Sequence, residues 1–452
     1  MNKPVSKVRE ARLELYRKKG KIHAREVRGR FNTIRWAMVW LTQIIFYGAC
    51  WLQWGGRQAI LIDIPHEKFY LFGLVLWPQD ALLGAIALIL AATGLFLVTA
   101  VAGRLFCGFA CPQTVYTSIF MWVETRVEGD HLARLKLDQS PSSPRKLALR
   151  GTKHALWSLI AAWTAISFVG YFTPIRELLP AVASWNLGPW EAFWLIFYAL
   201  FTYVQAGFAR EAVCQHMCPY SRFQGVMFDS TTRTVSYDVA RGEPRKGQGG
   251  GDCIDCGICV QVCPVGIDIR DGFQYPCINC GLCVDACDEV MIRVAKPVGL
   301  IRFASEQELA GAPRRSGRPR LAVYAGLIGV FVALGAWTLT QRSLLRVDVL
   351  RDRGSLSRET ADGRIENAYT LKLINMAEQA RDFEVAVSGL PGIELLGTQR
   401  FAGEAGSIRE VRVTVVAPPD AGKPGASPIA FVVQAAGDPA SRVTEKSTFV
   451  LP

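Results

Sequence analysis

Histidine is scarce in this chain, with His23, His66, His131, His154 and His216 the five among 452 residues. A membrane haem needs paired imidazoles inside the spans, and His154 alone stands near the end of an apolar run, so haem is not expected. Glycine-rich phosphate cradles are also missing. No strand-like run leads into G-x-G-x-x-G and no G-x-x-x-x-G-K occurs, which leaves flavin, nicotinamide and ATP binding without support. No small-residue cleavage site precedes the first apolar stretch, so no removable signal peptide is expected. Cysteine stops at Cys287, and whatever follows must fold on its core without disulfides.

What is abundant is cysteine before that point. Eight of the thirteen stand in two runs, Cys253-x2-Cys256-x2-Cys259-x3-Cys263 and Cys277-x2-Cys280-x2-Cys283-x3-Cys287. Each is the C-x2-C-x2-C-x3-C rhythm of a bacterial two-cluster ferredoxin, whose fourth cysteine serves the other cluster. Zinc wants four ligands in two pairs, and a doubled run fits two [4Fe-4S] cubes better. One cube should take Cys253, Cys256, Cys259 and Cys287, the other Cys277, Cys280, Cys283 and Cys263. Gly257 and Gly281 lie between ligands, where backbone N–H groups must approach cluster sulfide. Pro264 follows Cys263 in the usual way, whereas Asp288 occupies the matching place after Cys287.

Half of the residues are hydrophobic and the net charge is +12. Such a balance could serve nucleic acid, but the basic residues cluster beside apolar runs as in cytoplasmic loops of membrane proteins, so membrane lipid and not nucleic acid is the expected neighbour. Residues 1–35 read as a basic cytoplasmic N-terminus. Residues 36–220 read as a four-helix membrane domain, with crossings at 36–56, 81–103, 155–175 and 192–209. Between them, 57–80 reads as an external loop with an interfacial aromatic segment, and 124–153 as a basic cytoplasmic loop. Crossings two and four each end in Cys-x3-Cys-Pro: Cys107, Cys111 and Pro112, then Cys214, Cys218 and Pro219. Counted from an inside N-terminus, both motifs reach one face. Their i, i+4 spacing turns both sulfurs of a pair to one side of a helical turn, and thiolates select Cu(I), zinc or iron–sulfur centres. Redox-active disulfides or a further cluster remain alternatives. Cys50 reads as an ordinary small membrane residue.

Residues 221–312 form the two-cluster module, entered through the Gly-rich basic linker Arg241–Gly251. Residues 313–341 hold the basic flank Pro313–Arg320 and a fifth crossing, Leu321–Gln341. Residues 342–452 alternate with strand period at 370–374, 383–387, 408–415 and 429–433. Turn signals stand at Asp362-Gly363, Pro391-Gly392 and Pro418-Pro419-Asp420. A periplasmic immunoglobulin-like β-sandwich is expected. The whole is a multi-domain membrane protein with five transmembrane α-helices, a bacterial two-[4Fe-4S] ferredoxin-like module and that sandwich.

The two Cys-x3-Cys-Pro motifs, the runs Cys263-Pro264-Val265-Gly266-Ile267-Asp268 and Cys283-Val284-Asp285-Ala286-Cys287-Asp288, the fifth crossing and the β-rich tail together resemble the CcoG/RdxA/FixG family of cytochrome oxidase accessory proteins. The resemblance covers nearly the whole chain. It implies an inner-membrane iron–sulfur protein that reduces Cu(II) to Cu(I) for assembly of the cbb-type oxidase. Copper would be its substrate or transient ligand at Cys107, Cys111, Cys214 and Cys218, and copper chaperones and oxidase assembly factors would be its partners. The electron donor stays open. An alternative of another kind resembles the NapH quinol dehydrogenases, relaying quinol electrons to a periplasmic acceptor, and a third is a scaffold whose clusters are structural or sensory.

Overall fold

The computed structural model describes residues 22–245, 250–311, 318–352, 357–436 and 438–452. Most of the basic N-terminus, the middle of the 241–251 linker and most of the basic flank before the last helix lie outside those residues. The chain divides into two compact units, one built from residues up to 332 and the other mainly from 333–452.

In the first unit, α1 (Arg30–Ala49), α2 (Ala81–Ala102), the short α3 (Leu105–Phe109), α4 (Pro112–Glu128), α5 (His131–Gln139), α6 (Pro144–Val169), α7 (Ile175–Ala183) and α8 (Pro189–Val204) follow in order. Prolines at the first turn start α4, α6 and α8, where the missing N–H costs nothing. Among the described residues three helices are long and apolar enough to cross a membrane: Pro78–Ala102, Pro189–Met217 and Pro319–Thr340.

Five crossings were expected, and the first and third do not meet that measure. The uncharged run 36–56 does not form one helix. The chain turns at Cys50 into a strand pair, Gln53–Trp54 with Arg57–Gln58, and α1 itself carries Arg35 and Gln43, both buried. The third run begins its helix far upstream at Pro144, so α6 includes Arg145, Lys146, Arg150 and Lys153. Two expected loops are also ordered. Residues 60–76 form a three-stranded antiparallel sheet, and 124–153 is mostly helix, with Asp130 and Ser143 capping α5 and α6 through their side chains.

Past α8 the helix loosens into π turns at Gln205–Ala209 and Val213–Met217. The cluster module follows, with a short antiparallel strand pair, Thr234–Tyr237 and Ile301–Ala304, and the helix Leu282–Arg293. Its two halves repeat one backbone. Asp255 and Asn279 share φ near +57° and +56°, and Gly257 and Gly281 share +68° and +76°. The second pair is glycine because that region penalises a Cβ.

The second unit is a sandwich. One sheet runs Glu394–Leu396, Ile408–Ala417, Ile365–Asn375, Leu345–Arg351, with Arg358–Glu359 added beside Ile365, and the other runs Arg400–Gly403, Arg381–Ser388, Gly425–Ala435, Asp438–Leu451, all antiparallel. Ile365–Leu373 alternates buried and half-buried residues, the period of a strand with one face on a core. Tyr369, Leu371, Phe383, Val415, Phe431 and Phe449 fill that core. All four expected strand runs fall inside these strands, and the three turn signals fall between them.

Candidate functional site

Two small cavities in the cluster module carry the expected sets of cysteines. One is lined by Cys253, Cys256, Cys259 and Cys287, and the other by Cys263, Cys277, Cys280 and Cys283 together with Cys259. Cys287 thus lines the cavity of the first run and Cys263 that of the second. The donor set suits a cube rather than an ion. Among the described residues no three Cys, His, Asp or Glu groups converge closely enough to hold a single metal, and in a cube each thiolate meets a different iron, so the sulfurs stay apart. As free thiols these groups resist ionisation. Burial pushes Cys277 and Cys287 up to about 12, and Cys259 and Cys263 up to about 11, so loading a cluster must expel protons.

The two motifs that carry the remaining four cysteines lie near one another, although among the described residues no three of these thiols converge on a single metal position. Cys107 lies within electrostatic reach of Cys111 and Cys214, and Cys214 of Cys111 and Cys218; Cys111 in turn feels Cys218. The approach of the two motifs has an identifiable cause. Gln113, one residue past Pro112, donates from Nε2 to the carbonyls of Gln205 (3.0 Å) and Arg210 (3.1 Å), so the start of α4 grips the loosened end of α8. Arg210 in turn reaches Glu124 of α4 at 2.8 Å. Burial pushes the Cys107 thiol up to about 12, and its Sγ donates to Gln224 Oε1 at 3.4 Å.

The first of the two motifs packs on the loop that lines the second cluster cavity, Cys107 sharing an apolar cluster with Cys277, Ile278 and Cys280. Gly108, beside Cys107, lies so close to the loop between Cys277 and Cys280 that a Cβ there would stand 2.7 Å from the Ile278 carbonyl oxygen and 2.9 Å from Cys280 Cα. Arg104 links the two sets. Its buried guanidinium donates to the carbonyls of Tyr275 and Ser221, both at 2.6 Å, and lies 4.4 Å over the Tyr275 ring. Its charge is felt by Cys107, Cys214 and Cys277. Arg270 stands likewise at the first cavity, held by Asp255 at 2.6 Å and Asp268 at 2.7 Å. A fixed cation with neutral partners, such as Arg104, would favour the reduced, more negative state of a cluster held beside it, whereas the charge of Arg270 is already offset by two carboxylates.

Sequence reasoning gave no role to Arg104, Gln113, Arg270 or Gly108, although Arg104 and Gln113 border the first Cys-x3-Cys-Pro motif. Asp288, which departs from the usual proline, accepts the Gly299 N–H at 2.7 Å and so closes the loop behind Cys287. Cys50 is buried against Val169, Ile175 and Leu178, in keeping with a packing role. His216 and Met217 lie between Cys214 and Cys218 in sequence, and Met217 is exposed.

Comparison with known proteins agrees with this architecture. A 4Fe-4S dicluster domain matches residues 209–250 and 243–306, a 4Fe-4S binding domain matches 83–128, and the family described as "IG-like fold at C-terminal of FixG" matches 335–452. The chain is 36% identical over 456 residues to the nitrogen fixation protein FixG of Rhizobium meliloti, covering 90% of this chain and 85% of that protein. It is 38% identical over 399 residues to protein RdxA of Cereibacter sphaeroides, covering 84% of each. A crystal structure of a FixG-related protein from Vibrio parahaemolyticus is 26% identical, with 24% of this chain and 97% of that one covered at a TM-score of 0.22.

Proposed function

Because the chain belongs to the family of FixG and RdxA, we propose that it is a membrane-bound iron–sulfur relay that reduces Cu(II) to Cu(I) for assembly of a cbb-type cytochrome oxidase. The observation that carries this reading is the packing of the first Cys-x3-Cys-Pro motif, through Cys107 and Gly108, on the loop that lines the second cluster cavity. A soft-ligand site and an electron store share one wall.

In this reading Cys253, Cys256, Cys259 and Cys287 hold one cube and Cys263, Cys277, Cys280 and Cys283 the other. Bound there, the cubes supply one-electron reducing chemistry at low potential. Cys107, Cys111, Cys214 and Cys218 receive Cu(II) as substrate. Their thiolates favour Cu(I), which raises the copper couple and makes its one-electron reduction favourable. Arg104, buried and within electrostatic reach of Cys107, Cys214 and Cys277, offsets the negative charge that accumulates when thiolates gather. The buried thiols give up their protons as copper binds.

The reading puts α1 and α6 in the bilayer beside the three apolar helices, giving five crossings. Support comes from packing. α6 follows α8 from Tyr203–His154 (2.9 Å) to Phe168–Tyr198 (rings 4.0 Å apart), and Trp40, Ile44 and Leu159 expose apolar side chains, as lipid-facing positions do. With basic flanks inside, the N-terminus and clusters are cytoplasmic, the sandwich is periplasmic, and the membrane is the bacterial inner one. The sandwich then offers a docking domain for a copper chaperone or the oxidase.

The test is anaerobic. Protein with reduced clusters is mixed with Cu(II) while cluster absorbance and trapped Cu(I) are followed. One Cu(I) per electron, lost in Cys214→Ser/Cys218→Ser with cluster content unchanged, is the expected result. Clusters that stay reduced in the presence of Cu(II) would remove copper from the reading.

A further inference from the structure

A cavity of about 1350 Å³ opens along α1, α4 and α6 and ends at the cluster module. Its walls near the helices carry Trp36, Trp40, Trp122 and Trp163, and toward the cluster module it is lined by Val262, Pro264 and Leu282 together with the charged Arg25, Arg28, Glu289 and Arg293. Val262, Pro264 and Leu282 adjoin Cys263 and Cys283 in sequence, ligands of the second cluster in the reading above. Between the two regions lies Arg35, 8% exposed. Its Nη2 donates to Ser118 Oγ at 2.7 Å, while its Nε is buried without a hydrogen-bond partner among the described residues. The same guanidinium lies within electrostatic reach of Cys263 and Cys280.

We propose that this cavity binds a quinone, with its carbonyl head accepting a hydrogen bond from Arg35 and its prenyl tail lying along α1 toward the lipid. Three features select that class. The lining from Asn32 to Gly48 spans roughly 24 Å of helix rise, too long for a compact ligand and suited to a head with an isoprenoid tail. Flat aromatic walls fit a flat ring, and a neutral head that only accepts suits a buried donor with an open N–H. Ile44 and Leu159, both exposed, give the tail an apolar exit. The proposal rests on the relay reading in one respect: it supplies that relay with a membrane-borne electron carrier beside the second cluster site.

The test uses the full chain with its clusters in phosphatidylcholine nanodiscs and an azido-benzoquinone with a decyl tail as photoprobe. Labelled peptides are mapped by mass spectrometry. Label concentrated in residues 36–47 and 118–126, saturable, and reduced tenfold or more by excess unlabelled decyl-benzoquinone is the expected result. Arg35→Gln, checked for unchanged cluster absorbance, should weaken the apparent affinity at least about tenfold, as loss of a hydrogen bond from a charged donor does. Label spread without saturation over α2, α8 and Pro319–Thr340 would overturn the proposal, since the probe would merely be dissolved in lipid. So would labelling of the same segments by a photoreactive phospholipid that decyl-benzoquinone fails to displace. Labelling needs no electron transfer, so it can fail while copper reduction stands, and the copper test can fail while labelling succeeds.

Discussion

Asp285, midway between Cys283 and Cys287, accepts the backbone N–H of Asn32 at 2.7 Å, and that of Phe31 at 3.1 Å. A carboxylate from the cluster helix thus caps α1, whose own boundary residue Gly29 offers no side chain. Anions at a helix N-terminus satisfy orphan N–H groups and complement the dipole. Gly29 is small for the same reason, since a Cβ there would overlap the Asp285 carboxyl group. Asp285→Ala should cost about 1–3 kcal/mol, the range for a charged cap left empty. Heating the variant while following cluster absorbance should show earlier loss than in the wild type, with Asp285→Asn between the two. A melting curve unchanged by Asp285→Ala would mean that water replaces the carboxylate at no cost.

Gly108 makes the corresponding contact on the other side of the module. The atoms that a Cβ would strike belong to the backbone of Ile278 and Cys280, which cannot swing aside as a flexible side chain can. Gly108→Ala should therefore force the first motif and the second cavity apart, at about 1–3 kcal/mol of overpacking. Iron and acid-labile sulfide should fall, or, where they hold, the oxidation of reduced clusters by Cu(II) should slow. Gly151→Ala is the control. Nothing lies within 4 Å of its added Cβ, and in a helix alanine is the better residue, so that variant should match or exceed the parent in stability.

The cysteine spacing was enough to expect two cluster sets, and the structure lines one small cavity with the cysteines of each. The sandwich was legible as well: 370–374 and 429–433 alternate with period two, and that alternation survives in the burial of Ile365–Leu373. The membrane domain was less legible. Hydropathy saw an uncharged run at 36–56 but not the turn at Cys50 that ends α1, and it placed loops where short strands and capped helices stand. Arg104 and Gln113 could not be assigned from sequence, since their roles depend on carbonyls of Tyr275, Ser221, Gln205 and Arg210, all distant in the chain. A buried arginine at the end of an apolar run, next to a cysteine motif, is the only signal that could have marked the first.

Glu124 is a buried carboxylate shared among cations: Arg210 at 2.8 Å, Arg134 at 3.4 Å and Lys153 at 3.8 Å, with Lys153 also paired to Glu128 at 2.8 Å. All five side chains are nearly inaccessible. Glu124→Gln would leave three buried cations facing one carboxylate, and breaking such a network costs about 3–5 kcal/mol. The effect should reach the second motif, because Arg210 stands between the π turns that lead to Cys214 and Cys218. Alkylation of Cys214 by a membrane-permeant maleimide should become several times faster in Glu124→Gln. Glu124→Leu/Arg210→Met, which removes the central pair together, should recover part of the stability; failure to do so would mean that Arg134 and Lys153 depend on Glu124 as much as Arg210 does.

Asp229 gives a dependence on pH with a definite sign. Burial disfavours its ionised form, but hydrogen bonds from the Thr231 hydroxyl and N–H, from Arg320 and from the Thr232 hydroxyl outweigh this and hold the carboxyl at about 2, below its ordinary 3.8. A carboxyl whose folded value is depressed adds stability above its unfolded value and loses it as pH falls through the folded one. The contribution should therefore be complete above about pH 4 and decline between 4 and 2. Arg320 opens the last apolar helix and reaches Asp229 at 3.1 Å, so the loss should loosen that helix from the turn after Met227. In denaturant titrations Asp229→Ala should lie below the wild type by a constant margin from pH 7 to 5, and the two should converge as pH approaches 2. The partial exposure of both side chains keeps the margin small, and high salt should narrow it by weakening the Arg320 pair while the threonine bonds persist. A margin that grows on acidification would reverse the sign and show that Asp229 is protonated in the folded protein.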